Sequence, residues 1–85
     1  QDACNNLGLV HRKLGHTGQA EEAFQRAIAL DASYGAAHYN LALLYDETGR
    51  LDRAIEHYRA FLDSGGGTPE INARVRNRLL RLGSP

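Results

Sequence analysis

Apolar residues return along this chain at the three-and-four spacing of amphipathic helices, in five successive stretches. The first stripe is Ala3, Leu7, Val10 and Leu14, and the second is Ala20, Ala23, Phe24, Ala27, Ile28 and Leu30. Ala37, Leu41, Leu44 and Tyr45 make the third, and Ala54, Ile55, Tyr58, Phe61 and Leu62 the fourth. The last is Ile71, Val75, Leu79 and Leu82. Turn signals separate them at Gly15 to Gly18, at Thr48 to Arg50 and at Ser64-Gly65-Gly66-Gly67. The pattern predicts short helices joined by tight turns, with no strands.

The first four stretches are two copies of one unit. A shift of 34 residues superposes Ala3 on Ala37, Asn6 on Asn40, Leu7 on Leu41 and Leu9 on Leu43. The same shift sets Gly15 on Gly49, Ala20 on Ala54 and Glu22 on Glu56, with no gap. Small stays on small (Gly8, Ala42) and aromatic on aromatic (Phe24, Tyr58). Each unit is thus a helical hairpin whose small residues let the backbones approach beside one ring. Burying a large apolar side chain contributes roughly 1.5–3 kcal/mol, but a single hairpin cannot cover its own apolar face. Stacking the next hairpin does.

Over residues 1–64 the strings Asn6-Leu7-Gly8, Gly15, Ala20, Phe24, Ala27 and Asn40-Leu41-Ala42, Tyr45, Gly49, Ala54, Tyr58 resemble the tetratricopeptide repeat family. The resemblance implies an all-α, right-handed superhelix, with residues 1–34 and 35–67 as two repeats. It also implies a non-catalytic scaffold that binds proteins or peptides along its concave face. Three departures stand out. Cys4 and His38 replace the first large aromatic of the motif, and the closing proline is missing at Ala32 and Gly66. Phe61 stands where the family has alanine, which would overpack an ordinary repeat interface. The element after the second repeat is therefore expected to dock differently. That element, residues 68–85, reads as a capping helix with one apolar face. Thr68 suits the N-cap, Pro69 the first helical position and Glu70 the positive helix end, while Gly83-Ser84-Pro85 stops it.

Composition narrows the function classes. Eighty-five residues make one small domain, and 42% hydrophobic against 24% charged residues is the balance of a folded chain. Formal net charge is zero, so no overall field draws in nucleic acid or an anionic membrane. Residues 68–85 nevertheless hold Arg74, Arg76, Arg78 and Arg81 against Glu70 alone, a net of about +3 balanced by about −3 elsewhere. Nucleic-acid binding through these arginines would lose affinity steeply with salt and lacks stacking aromatics, so it is not expected. No apolar run approaches the ~20 residues of a membrane span, and no basic-then-apolar signal pattern opens the chain. Cys4 has no partner for an internal disulfide, which leaves the compartment open, the cytoplasm being favoured. Starting at Gln1 with a helix almost at once, the chain reads as a piece of a longer protein.

Catalysis finds no support: no nucleophile stands beside a base, and Gly65-Gly66-Gly67 lacks the lysine of a phosphate loop. Glu21, Glu22, Asp46, Glu47 and Glu56 read as solvated charge, and no cofactor is implied. Among Cys4, His11, His16, His38 and His57 no pair has the three- or four-residue spacing that puts two metal ligands on one helical face. They read as packed or half-exposed side chains, with no metal.

The inner wall carries the binding expectation. Asn6 and Asn40 occupy equivalent places along it, and an asparagine can hydrogen-bond a peptide backbone whatever its sequence. Packing between neighbouring helices would explain them equally well. Leu9 and Lys13 share the wall, and Tyr39 with Leu43 forms an apolar patch for an extended or helical ligand. Arg74 lies one further period beyond Asn40. Relatives that grip acidic tails use a lysine–asparagine–arginine clamp. Asn40 and Arg74 match two of its places, whereas Asn5, Leu9 and Glu70 do not match the others. The full clamp is absent, and a looser preference for acidic peptides is what survives. The alternative is an architectural or self-associating segment, because the first helix exposes an apolar outer face.

Overall fold

The computed structural model describes residues 2–83. Five helices follow in order: α1 Asp2–Lys13, α2 Thr17–Leu30, α3 Gly35–Glu47, α4 Leu51–Asp63 and α5 Pro69–Arg81. No strand occurs among the described residues. α1 packs on α2 and α3 on α4 as hairpins, α2 and α1 both meet α3, and α5 lies on α4. This is the expected all-α array of helical hairpins. Thr17 and Gly18, expected in the turn, already belong to α2.

The two hairpin turns are built alike. After α1 the Gly15 amide bonds the Arg12 carbonyl and the His16 amide bonds His11, and after α3 Gly49 bonds Asp46 and Arg50 bonds Tyr45. That pairing closes a helix through a left-handed residue, and Gly15 and Gly49 supply it at φ +79 and +82. At the start of α5 the Thr68 hydroxyl oxygen accepts from the Ile71 amide at 3.2 Å, with Pro69 just inside.

The core runs through both hairpins. Phe24, Leu41, Leu44, Tyr45 and Val75 are its largest fully buried side chains. Gly8 is where small meets large: a Cβ there would stand 2.5 Å from the Phe24 ring. Glu21 of α2 ties the repeats together by accepting from the Tyr45 hydroxyl at 2.7 Å and from Arg50 at 2.9 Å. Burial alone would raise the Glu21 carboxyl, but these donors outweigh it and hold it below its ordinary value. Glu21 is therefore an inter-repeat contact rather than the solvated charge its sequence position implies.

The apolar stripe of α1 behaves unlike its copy in α3. Leu7 and Val10 are 51% and 52% exposed, whereas their equivalents Leu41 and Leu44 are 0% and 2%. The reason is position in the stack: α3 is covered by the first hairpin, and nothing described lies on the outer side of α1.

The anomaly of Phe61 resolves as an altered docking of α5. Its equivalent in the first repeat, Ala27, is wholly buried, and α1 of that repeat is in direct contact with α3. Phe61 fills the corresponding space and packs its ring on Tyr39, centroids 5.1 Å apart. Consequently α3 and α5 have no Cα atoms within 8 Å of one another. A side chain at Gly67 would collide with the Phe61 ring, its Cβ falling 2.5 Å from Cζ, and Gly67 also takes φ +85. At Gly67 the wedge leaves no room for a side chain.

Candidate functional site

Where α5 stands away from α3 a groove remains. Tyr39, Leu43 and Asp46 fall four and three residues apart on α3, so they share one face. Arg74, Val75 and Arg78 face them from α5, and Tyr58 of α4 lies beneath. Together they bound a depression of about 250 Å³. Tyr39 is shared with a second depression of about 370 Å³ nearer the glycine linker.

Asp46 is the electrostatic pivot. Its Oδ2 accepts from Arg78 Nε at 2.8 Å and from the Tyr58 hydroxyl at 2.9 Å, and its Oδ1 accepts from Arg78 Nη2 at 2.6 Å. Two parallel bonds from one guanidinium are the strong, orientation-fixing form of this pair. Arg78, ahead of the opposing effect of burial, holds the Asp46 carboxyl below its ordinary value. Burial, then Asp46, pushes the Tyr58 phenol well up, so it stays a protonated donor. Arg74 has no ion-pair partner among the described residues. The groove therefore presents one uncompensated cation beside apolar surface.

Of the residues expected on the inner wall, Tyr39, Leu43 and Arg74 come together here. Asn40 borders the second depression, but its Nδ2 donates to Asn5 Oδ1 at 3.0 Å across the repeat junction. The asparagine pair is thus Asn5 with Asn40, not Asn6 with Asn40, and it serves helix packing. Asn6 and Lys13 are exposed and Leu9 is half-buried against the core, and these three border neither depression. Arg12 forms an ion pair with Glu47 that ties α1 to α3.

Sequence reasoning missed the Asp46–Arg78–Tyr58 cluster, having read the carboxylate as solvated and the arginines as a capping face. Its signal was weak, since pairing across helices depends on how the glycine linker sets α5. The pairing of the histidine rings went unseen for a related reason. No two are spaced along one helix for contact, yet the turn joins His11 to His16 and the hairpin joins His38 to His57, Nδ1 atoms 3.4 and 3.0 Å apart. No cluster of three or more histidine, cysteine or acidic side chains suited to a metal occurs among the described residues.

The tetratricopeptide repeat profile matches residues 5–69, most of the chain. The chain belongs to the tetratricopeptide repeat family. It is 35% identical over 77 residues to the type IV pilus assembly protein PilF of Pseudomonas aeruginosa, covering 91% of this chain and 29% of that one. It is 28% identical over 79 residues to human neutrophil cytosol factor 2, covering 93% of this chain and 15% of that one. Against these relatives it spans less than a third of their length. Stacked tetratricopeptide hairpins are protein-interaction modules, and this chain is such a scaffold.

Proposed function

We propose that the groove between α3 and α5 binds a short peptide with acidic side chains. The observation supporting this is the charge state of its walls. Asp46 is already taken by Arg78 and Tyr58, so Arg74 remains as the charge facing a ligand, beside Tyr39, Leu43 and Val75. A carboxylate on Arg74 would gain a charge-assisted contact while an apolar neighbour covers the rings. A longer ligand would continue toward α1 past Leu9, Asn6 and Lys13, with Asn40 orienting that junction through Asn5.

The test is a titration of isotope-labelled protein with acidic, basic and apolar peptide pools. Shifts at Tyr39, Leu43 and Arg74 with the acidic pool, lost in Arg74→Glu, are expected. If the acidic pool moves none of these amides, the groove is not the binding surface.

One observation favours a second reading, a segment that associates through α1. Leu7 and Val10 on α1 and Leu14 just beyond its end are 51%, 52% and 63% exposed. Mass by light scattering across a concentration series separates the readings, since a constant monomer rules out self-association.

A further inference from the structure

We infer that the depression beside Gly67 is an anchor slot for one large apolar side chain, set two residues from the carboxylate that meets Arg74. The inference rests on the groove reading above and adds what the ligand must carry beyond its charge.

The slot is bounded by Tyr34, Ala36, Tyr39, Phe61, Gly67 and Ile71, and no charged residue lines it. At about 370 Å³ it has room for one large apolar side chain together with the peptide backbone that carries it. Its existence follows from the departure at Phe61. The ring wedges the end of α4 against Tyr39 and keeps α5 off α3, so the space is not closed by helix packing as it is between α1 and α3.

Its walls are already built. The Ser64 hydroxyl donates to the Phe61 carbonyl at 2.6 Å and accepts from the Gly66 amide at 3.2 Å. Thr68 caps α5 immediately beyond. A rim held by its own hydrogen bonds need not be ordered by the ligand, which removes part of the cost of binding.

Geometry gives the spacing. Ile71 in the slot and Arg74 and Val75 in the first depression lie three and four residues apart on α5, an axial step of roughly 4.5–6 Å. An extended peptide repeats side chains on one side every second residue, roughly 6.6 Å. Arginine reach covers the difference. Charge complementarity selects the occupant: a peptide with a leucine or phenylalanine two residues from a glutamate, in either chain direction.

The test uses three synthetic peptides binding to the full chain: the anchored acidic peptide, the same peptide with its anchor changed to alanine, and one with glutamate changed to glutamine. Fluorescence anisotropy measures Kd, and the Gly66 and Gly67 amides are followed by NMR. The anchored peptide is expected to bind at least tenfold tighter than the alanine peptide and to shift both glycine amides. Ala36→Trp, at an exposed position on the slot's edge, should remove that tenfold gain and leave the alanine peptide unchanged. Equal affinity of the anchored and alanine peptides, with loss on Arg74→Glu, overturns the slot and leaves the groove standing. No binding by any acidic peptide, or no effect of Arg74→Glu, overturns both.

Discussion

Replacing Gly8 with alanine sets two opposing effects against each other, and their magnitudes predict a sign. Gly8 sits inside α1, where alanine is the better helix former by roughly 0.8–1.0 kcal/mol. Against this, the added Cβ would stand 2.5, 2.6 and 2.9 Å from Cε1, Cδ1 and Cζ of Phe24. Phe24 is 0% exposed, so its ring has no solvent to swing into. Overpacking of this kind costs roughly 1–3 kcal/mol. The clash therefore wins, with a net destabilisation on the order of 1 kcal/mol, or about 4–8 °C in Tm for a domain of this size. Shortening the ring changes the balance. In a Phe24→Leu background the new methyl fills vacated space, only the propensity gain remains, and Gly8→Ala should stabilise. Thermal and urea melts of the four variants read the reversal as a coupling energy of roughly 1–3 kcal/mol. If Gly8→Ala raises Tm in the native background, or changes it equally in both, the small-against-large account of the first hairpin is wrong.

Four further outcomes are expected. Arg78→Ala should lower hydrogen-exchange protection across α5 much more than Arg76→Ala, because Arg78 alone of the two is seen bonded to Asp46. Since Asp46 titrates below its unfolded value, its contribution should be full above about pH 4 and fade as pH falls through its lowered native pKa; Asp46→Asn should flatten that part of a stability–pH curve. The His57 imidazole is held below its ordinary value, first by burial and then by His38, so the unfolded chain takes up its proton before the native one. Urea stability should accordingly drop as pH falls below about 6.5, and His57→Gln should remove the drop. Thr68→Ala should cost α5 roughly 0.5–2 kcal/mol by deleting its N-cap acceptor, read as fraying of the first α5 amides; unchanged exchange there would refute the cap.

The neutral form of the histidine pair follows from its partners. His38 Nε2 lies 2.8 Å from the Ala32 carbonyl and donates to it, so in the neutral pair His38 Nδ1 must accept from His57 Nδ1–H. Acid is therefore expected to act on the second hairpin by charging the half-buried His57 ring, and periodicity offers no hint of it.

What the sequence by itself determined is whatever repeats at short range. Helical stripes, glycines at the left-handed turn positions, the Thr68-Pro69 start and the 34-residue period each depend on neighbours within one or two turns, so five helices and two hairpins were legible. Tyr39, Leu43 and Arg74 were legible as groove residues because the period carries the register of the inner wall. The tertiary structure alone decided how α5 docks. One bulky residue, Phe61, against Tyr39 and a glycine linker sets that placement, and the placement brings Arg78 to Asp46 and leaves Arg74 unpaired. It likewise decided that Asn40 turns to Asn5 and that the stripe of α1 stays exposed. Periodicity says which side of a helix is apolar; only packing between distant elements says what covers that side, which charges meet and where a gap remains.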